Sequence, residues 1–309
     1  MTSSRPRSFA QVDVFTTTPL KGNALAVVLD GDDLSDEAMQ QFANWTNLSE
    51  TTFVLTPTQQ TADYRVRIFT TSSELAFAGH PTLGTCAALL AAGRISPNSN
   101  GFLVQECGVG LVPISYNRSS HELAFKAPAL RSPSVAIDSS LLQTLSPHLG
   151  SELQMFSGIP KRLDIGIRWI IAPLCSQKVL RSLRMDGHAL THVLESLAAT
   201  VGECDGITFF ARVEDDEKDQ TLHGDVELRT FFAPGGVLVE DPVCGSANAC
   251  VARYLLEEGF EALAGSSSSR DQLTCDTGYI ACQGSCLGRD GRIFITYRCD
   301  GDTVDPWVG

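Results

Sequence analysis

"EDPVCGSANACVARYLLEEG" (residues 240–259) decides how this chain is read. It passes from an acidic segment through Pro242, Cys244, Gly245 and Ser246 straight into a helical pattern that stops at Gly259. Residues 77–94, "FAGHPTLGTCAALLAAGR", follow the same order: small-residue turn, Ala-rich helix, stop at glycine. The likeness extends outward on both sides. Upstream, "VRIF" and "LRTFF" each place Arg two residues before Phe, as Arg67 and Phe69 and as Arg229 and Phe231. Further upstream, a helical pattern over 33–48 leads to a strand over 50–57, and one over 185–202 leads to a strand over 205–212; these rest on apolar spacing of three and four, then on Thr, Phe, Val and Ile. Downstream, 102–116 and 272–284 read as strands with a Gly turn. A period of about 160 residues is too long for a solenoid. It predicts an α+β chain of two similar domains, each a sheet curled around its Ala-rich helix.

The boundary falls in "HELAFKAPALRSPSVAIDSS" (121–140), whose two prolines mark a crossing between halves. "AGSSSSRDQ" (264–272) reads as an exposed loop, and the charge cluster in 211–225 as a solvated turn. With 309 residues the chain accommodates two domains of ordinary size. A net charge of −13 opposes general affinity for nucleic acid or anionic membrane, yet leaves room for a local site that takes a small anionic substrate. No apolar run of membrane-spanning length occurs, and the first residues lack the apolar core of a signal peptide. The expectation is a cytoplasmic protein, in which glycosylation-type matches at Asn47 and Asn117 carry no weight. Ten cysteines without a CxxC pair read as buried free thiols. Cys275, Cys282 and Cys286 have no histidine nearby, so no metal site is expected.

Two helix starts made of small residues have a chemical use. The first amides of a helix lack internal partners and carry partial positive charge, so they receive carboxylates. Gly79 and Gly245 leave backbone accessible, Ser246 caps a helix or binds a ligand oxygen, and Pro81 suits a first helical position after His80. A pair of merely well-capped helices would look the same. No GxxxxGK[ST], GxGxxG or HExxH motif occurs, which removes the usual support for nucleotide, dinucleotide and zinc-protease functions; no cofactor is expected.

Four ordered motifs carry a resemblance: "GNALAVV" (22–28), "NLSETTFV" (47–54), "FAGHPTLG" (77–84) and "EDPVCGSA" (240–247), with "LGRDGRIFI" (287–295) following. Together they resemble the PhzF (phenazine biosynthesis-like) family of the diaminopimelate-epimerase-like superfamily. The resemblance implies two similar, pseudo-two-fold-related domains with mostly antiparallel sheets: 1–125, completed by 292–309, and 126–291, with the active site in the cleft between them. It also implies cofactor-independent isomerisation and a homodimer.

By the same resemblance Glu50 is the general acid/base, while His80 and Asp241 hold the substrate and assist proton movement. Gly79, Gly245 and Ser246 present donors to its carboxylate. The physics agrees for Glu50, since a carboxyl whose pKa is raised by burial both removes and returns a proton. A surface Glu, a loop His and a turn-forming Asp are the alternatives. Two-base epimerases of the superfamily carry a cysteine at each helix start; here the positions are taken as Gly79 and Cys244. A thiol at a helix start is expected to have a lowered pKa. Cys244 is therefore either a small filler or a second acid/base beside Glu50. Two rival functions stand open: an epimerase, racemase or dehydratase using Cys244 with Glu50, and a non-enzymic binding protein on the same scaffold.

Overall fold

A computed structural model of the chain describes residues 5–138, 156–213, 224–259, 275–301 and 303–309. The loop 264–272, most of the charged stretch 211–225 and the last two residues of the 121–140 crossing lie outside them. Two compact units form, Met1–Lys126 with Gly309, and Ala127–Val308.

The first unit contains β1 (Phe9–Val14), β2 (Asn23–Val28), α1 (Asp36–Thr46), β3 (Glu50–Leu55), β4 (Tyr64–Phe69), β5 (Glu74–Leu75), α2 (Gly79–Ala91), β6 (Phe102–Cys107), β7 (Gly110–Tyr116) and β8 (Leu123–Lys126). The entry of helix α1 is set locally: Ser35 Oγ accepts from Ala38 N–H, Asp36 and Glu37 occupy the first turn, and Asn47 closes the helix in the left-handed region at φ 55°. β1–β2 and β3–β4 are antiparallel, β2–β3 and β4–β6 parallel, and β6–β7 and β7–β8 antiparallel again. One face of this sheet packs Val28, Phe53 and Phe69 against Met39 and Ala43 of α1. Phe53 and Phe69 meet edge to face at 5.5 Å, and burying each ring stabilises by about 2–3 kcal/mol. α2 packs on β1, β2, β3 and β8 and is buried on almost every side, which small residues permit: a Cβ at Gly84 would lie 2.7 Å from Leu25.

The second unit contains β9 (Val135–Ala136), β10 (Lys161–Asp164), β11 (Arg168–Pro173), α3 (Gln177–Ser182), α4 (Gly187–Val201), β12 (Gly206–Arg212), β13 (Val226–Phe232), β14 (Val239–Asp241), α5 (Gly245–Glu258), β15 (Gly278–Gln283), β16 (Gly291–Asp300) and β17 (Thr303–Val308). Its pairings from β10 to β17 run antiparallel, parallel, antiparallel, parallel, antiparallel, antiparallel, the same series as the first unit. α4 starts at Asp186, which accepts from Ala189 N–H, and its Leu190, Val193 and Leu197 cover Ile170, Ile207 and Phe209. α5 packs on β10, β11, β16 and β17 and ends at Gly259 (φ 79°).

The duplication read from the sequence thus extends to strand order, and the Arg-x-Phe signature has a physical meaning in both halves. Arg67 makes a two-pronged ion pair with Glu74 on the neighbouring β5 and lies over Phe69. Arg229 does the same with Glu240 on β14 and lies over Phe231.

Two expectations change. Pro81 is the third residue of α2, which opens at Gly79; its missing N–H still falls in the first turn, where amides have no helical partner. Finally, not all thiols are free, because Cys275 and Cys299 form a disulfide beside the β15–β16 pairing. Among the described residues no helix is long and apolar enough to cross a membrane.

Candidate active site

Glu50 is the first residue of β3, brought into line by the left-handed turn at Asn47 and paired in register with Leu25 of β2. Its side chain is 14% exposed, and Oε2 stands 3.4 Å from Nε2 of His80. Glu50 therefore points at His80. His80 is the second residue of α2, and its side chain is 3% exposed. Burial pulls its pKa down to about 3, so the imidazole is neutral throughout the physiological range.

The other ring nitrogen, Nδ1, lies 3.3 Å from Nδ2 of Asn23, the first residue of β2. With the Asn23 NH2 facing it, Nδ1 suits the acceptor role, and that tautomer puts the ring proton on Nε2, on the side of Glu50. Gly79 opens α2, and its N-cap Ala78 has no side-chain cap. Below it Thr82 Oγ1 donates to Ala78 O and accepts from Gln105 Nε2, fixing the first turn from inside the unit.

In the second unit Asp241 ends β14 and is 9% exposed. Burial raises its pKa to about 6, against the opposing pull of the Cys244 thiol and of the Val243 N–H that donates to Oδ1 at 3.0 Å. Cys244 is the N-cap of α5, and Gly245 and Ser246 are its first two residues. The backbone amides of Gly245 and Ser246 have no protein partner among the described residues. Ser246 Oγ accepts from Trp169 Nε1 at 3.1 Å, which leaves the hydroxyl proton to turn towards Cys244 Sγ, 3.5 Å away, or towards a ligand.

Cys244 departs from expectation. Burial, and then the neighbouring Asp241, push its pKa well above that of a free thiol. The helix start does not overcome the loss of water and an adjacent carboxylate, so the thiol stays protonated. The comparison of helix starts also shifts by one residue: N-cap matches N-cap, so Ala78 rather than Gly79 stands where Cys244 stands. One helix start still has a thiol and the other none.

The structure thus brings Glu50 to His80 within the first unit, and Asp241, Cys244, Gly245 and Ser246 together within the second. Sequence reasoning missed Asn23, Trp169 and Gln283. Asn23 lies inside a motif already singled out, while Trp169 and Gln283 reach the site from strands 77 and 39 residues away from their partners Ser246 and Cys244. Among the described residues no cluster of three His, Cys, Asp or Glu side chains is arranged to hold a metal ion.

Residues 12–304 match the phenazine biosynthesis-like protein family, PhzC-PhzF. The Schizosaccharomyces pombe protein Antisense-enhancing sequence 1 is 36% identical over 253 residues, covering 80% of each chain. Trans-2,3-dihydro-3-hydroxyanthranilate isomerase of Pseudomonas chlororaphis is 31% identical over 252 residues, covering 80% of this chain and 79% of that one. In shape, the chain is similar to a Bacillus anthracis PhzF-family protein, with a TM-score of 0.75 at 24% identity, covering 97% of this chain and 94% of the other.

Proposed function

The chain belongs to the phenazine biosynthesis-like (PhzF) family of isomerases, and from that premise we propose that it moves a proton, and with it a double bond, within a small carboxylate-bearing substrate. Glu50 removes the proton from carbon and returns it at a second position. Neutral His80 donates its Nε2–H to the carboxylate while Glu50 is ionised, which steadies the base without neutralising it. The Gly245 and Ser246 amides, with the Ser246 hydroxyl, receive the substrate carboxylate. Asp241, with its pKa near neutrality, is suited to give or take a proton at the substrate. The family relative's cyclic dihydro-hydroxyanthranilate is the first substrate to try, since it carries both the carboxylate and an activated C–H.

The observation that carries this reading is the contact of Glu50 with an imidazole that burial keeps neutral. The rival in which Cys244 works as a thiolate base is disfavoured by the upward push on that thiol. In heavy water the wild-type protein should move the double bond of trans-2,3-dihydro-3-hydroxyanthranilate and leave deuterium at the new C–H position. Glu50→Gln should keep ligand binding and lose turnover by about 10²–10⁴-fold. Full turnover by Glu50→Gln, or deuterium exchange at a stereocentre without double-bond migration, would sink it.

A further inference from the structure

We propose that Gln283 is a positioning residue of the second unit, bracing the turn from Asp241 to Cys244 so that the Gly245 and Ser246 amides are presented to a carboxylate. The inference rests on the function proposed above for that turn. Gln283 is the last residue of β15 and is 2% exposed. Its amide spans the turn: Oε1 accepts from Cys244 N–H at 3.1 Å, and Nε2 donates to the carbonyl of Asp241 at 2.9 Å.

The orientation is fixed by a second amide. Asn248, in the first turns of α5 and fully buried, gives one N–H to Cys244 O at 2.9 Å and the other to Gln283 Oε1 at 3.1 Å. With both Asn248 protons committed, Gln283 must present oxygen to the helix and nitrogen to the strand; reversing it would set donor against donor. The brace acts on the backbone on both sides of Pro242 and Val243. It satisfies the Cys244 amide from within the protein and leaves the next two amides for a ligand. The Gln283 amide thus ties the end of β14 to the start of α5, alongside the Val243 N–H bond to Asp241 Oδ1 within the turn.

The test exploits the fact that a protonated carboxyl has the same one-acceptor, one-donor pattern as a primary amide, whereas a carboxylate has no donor for the Asp241 carbonyl. Position 283 is faced by Asp241 and Cys244 on the turn and by Glu227, Arg181, Arg289 and Asp290 along the cavity it lines on its other side. Each rate of Gln283→Glu is therefore taken as a ratio to wild type at the same pH, so that shared titrations cancel.

In turnover of trans-2,3-dihydro-3-hydroxyanthranilate, that ratio should be close to one at low pH and fall as pH rises. Gln283→Met should raise KM by about tenfold at every pH with a smaller change in kcat, since lost amide presentation weakens ground and transition states alike. Amide hydrogen exchange at Cys244 supplies an arm that needs no substrate: slow in wild type, and faster in Gln283→Met across 241–248 only. An inactive wild type whose Cys244 exchange responds in this way supports the brace and overturns the proposed substrate. An active wild type with a pH-independent Gln283→Glu ratio, or with KM and exchange unchanged in Gln283→Met, overturns the brace. If neither variant folds, fast exchange of Cys244 N–H in the wild-type protein overturns it as well.

Discussion

Asn23 shows how much chemistry one side chain sets in this molecule. Its NH2 group faces Nδ1 of His80 and so favours the tautomer with hydrogen on Nε2. Asn23→Ala should leave the fold in place, let the two imidazole tautomers mix and lower kcat by roughly tenfold with little change in KM, a loss of about one hydrogen bond's worth of stabilisation. Nitrogen-15 NMR of His80 checks it directly: a single Nε2–H tautomer in wild type, a mixture in the variant. Asp241 makes the complementary case, in which a buried carboxyl costs stability when ionised. Its folded pKa of about 6 lies above the ordinary 3.8, so the protonated form suits the fold. The stability this contributes is complete below pH 3.8 and is lost as pH rises through about 6. Asp241→Asn keeps an oxygen for Val243 N–H and removes the buried charge. It should be more stable than wild type at pH 7.5, by up to about 3 kcal/mol, with the gap closing by pH 4, while turnover falls. Urea denaturation at the two pH values tests the sign. His80 works in the opposite sense: its pKa of about 3 lies below the ordinary 6.5, so its contribution is intact above 6.5 and is lost as acid approaches 3.

At the scale of elements, the same sequence signature has different weight in the two halves. Arg67 and Glu74 form an exposed pair, with Glu74 at 42% side-chain exposure, whereas Arg229 and Glu240 are at 7% and 12%. Arg229 also donates to the carbonyls of Leu180 and Leu183 at the end of α3. Exposed pairs contribute little, whereas breaking a buried one strands a charge. Arg67→Met should therefore cost less than about 1 kcal/mol and Arg229→Met about 3–5 kcal/mol, read from denaturant midpoints. Because Glu240 immediately precedes Asp241, Arg229→Met should also weaken turnover where Arg67→Met leaves it closer to wild type. Periodicity and helix-entry residues made the elements legible in the sequence: α1, α2, α4, α5 and the strands between them all carry local patterns. Glu50, His80 and Asp241 were singled out through the motif resemblance, and each sits where one element turns into the next. Gln283, Trp169 and the tautomer set by Asn23 were not, since each depends on pairing between strands far apart in sequence. The thiol pKa of Cys244 was misread for a related reason: burial and the nearness of Asp241 are tertiary facts, and here they outweigh the local helix start.

At the scale of the whole molecule, duplication explains the common frame and also shows where the halves have diverged. Both units repeat one strand series around a buried small-residue helix, but the first has the Glu50–His80 contact at the β3 and α2 entries, and the second has the Gly245 and Ser246 amides at the entry of α5. The second alone carries a disulfide among the described residues, between Cys275 ahead of β15 and Cys299 near the end of β16. Those two strands hold Gln283 and fix the floor under the β14–α5 turn, so the crosslink and the proposed carboxylate site share one piece of sheet. Backbone bonds already tie the same ends, with Asp276 N–H on Tyr297 O and Tyr297 N–H on Thr277 O. The disulfide therefore acts mainly on the unfolded chain, where it closes a loop across a sequence separation of 24. Chain entropy for such a loop corresponds to about 3 kcal/mol. Non-reducing peptide mapping should recover the Cys275–Cys299 link, and the double variant Cys275→Ser with Cys299→Ser should unfold at a lower denaturant concentration while kcat in the native range is unchanged. Reductant should lower the wild-type midpoint to that of the double variant and leave the variant's own midpoint where it was. If reductant moves both midpoints equally, the stabilisation belongs to another thiol and the assignment of this link to the second unit's stability is wrong.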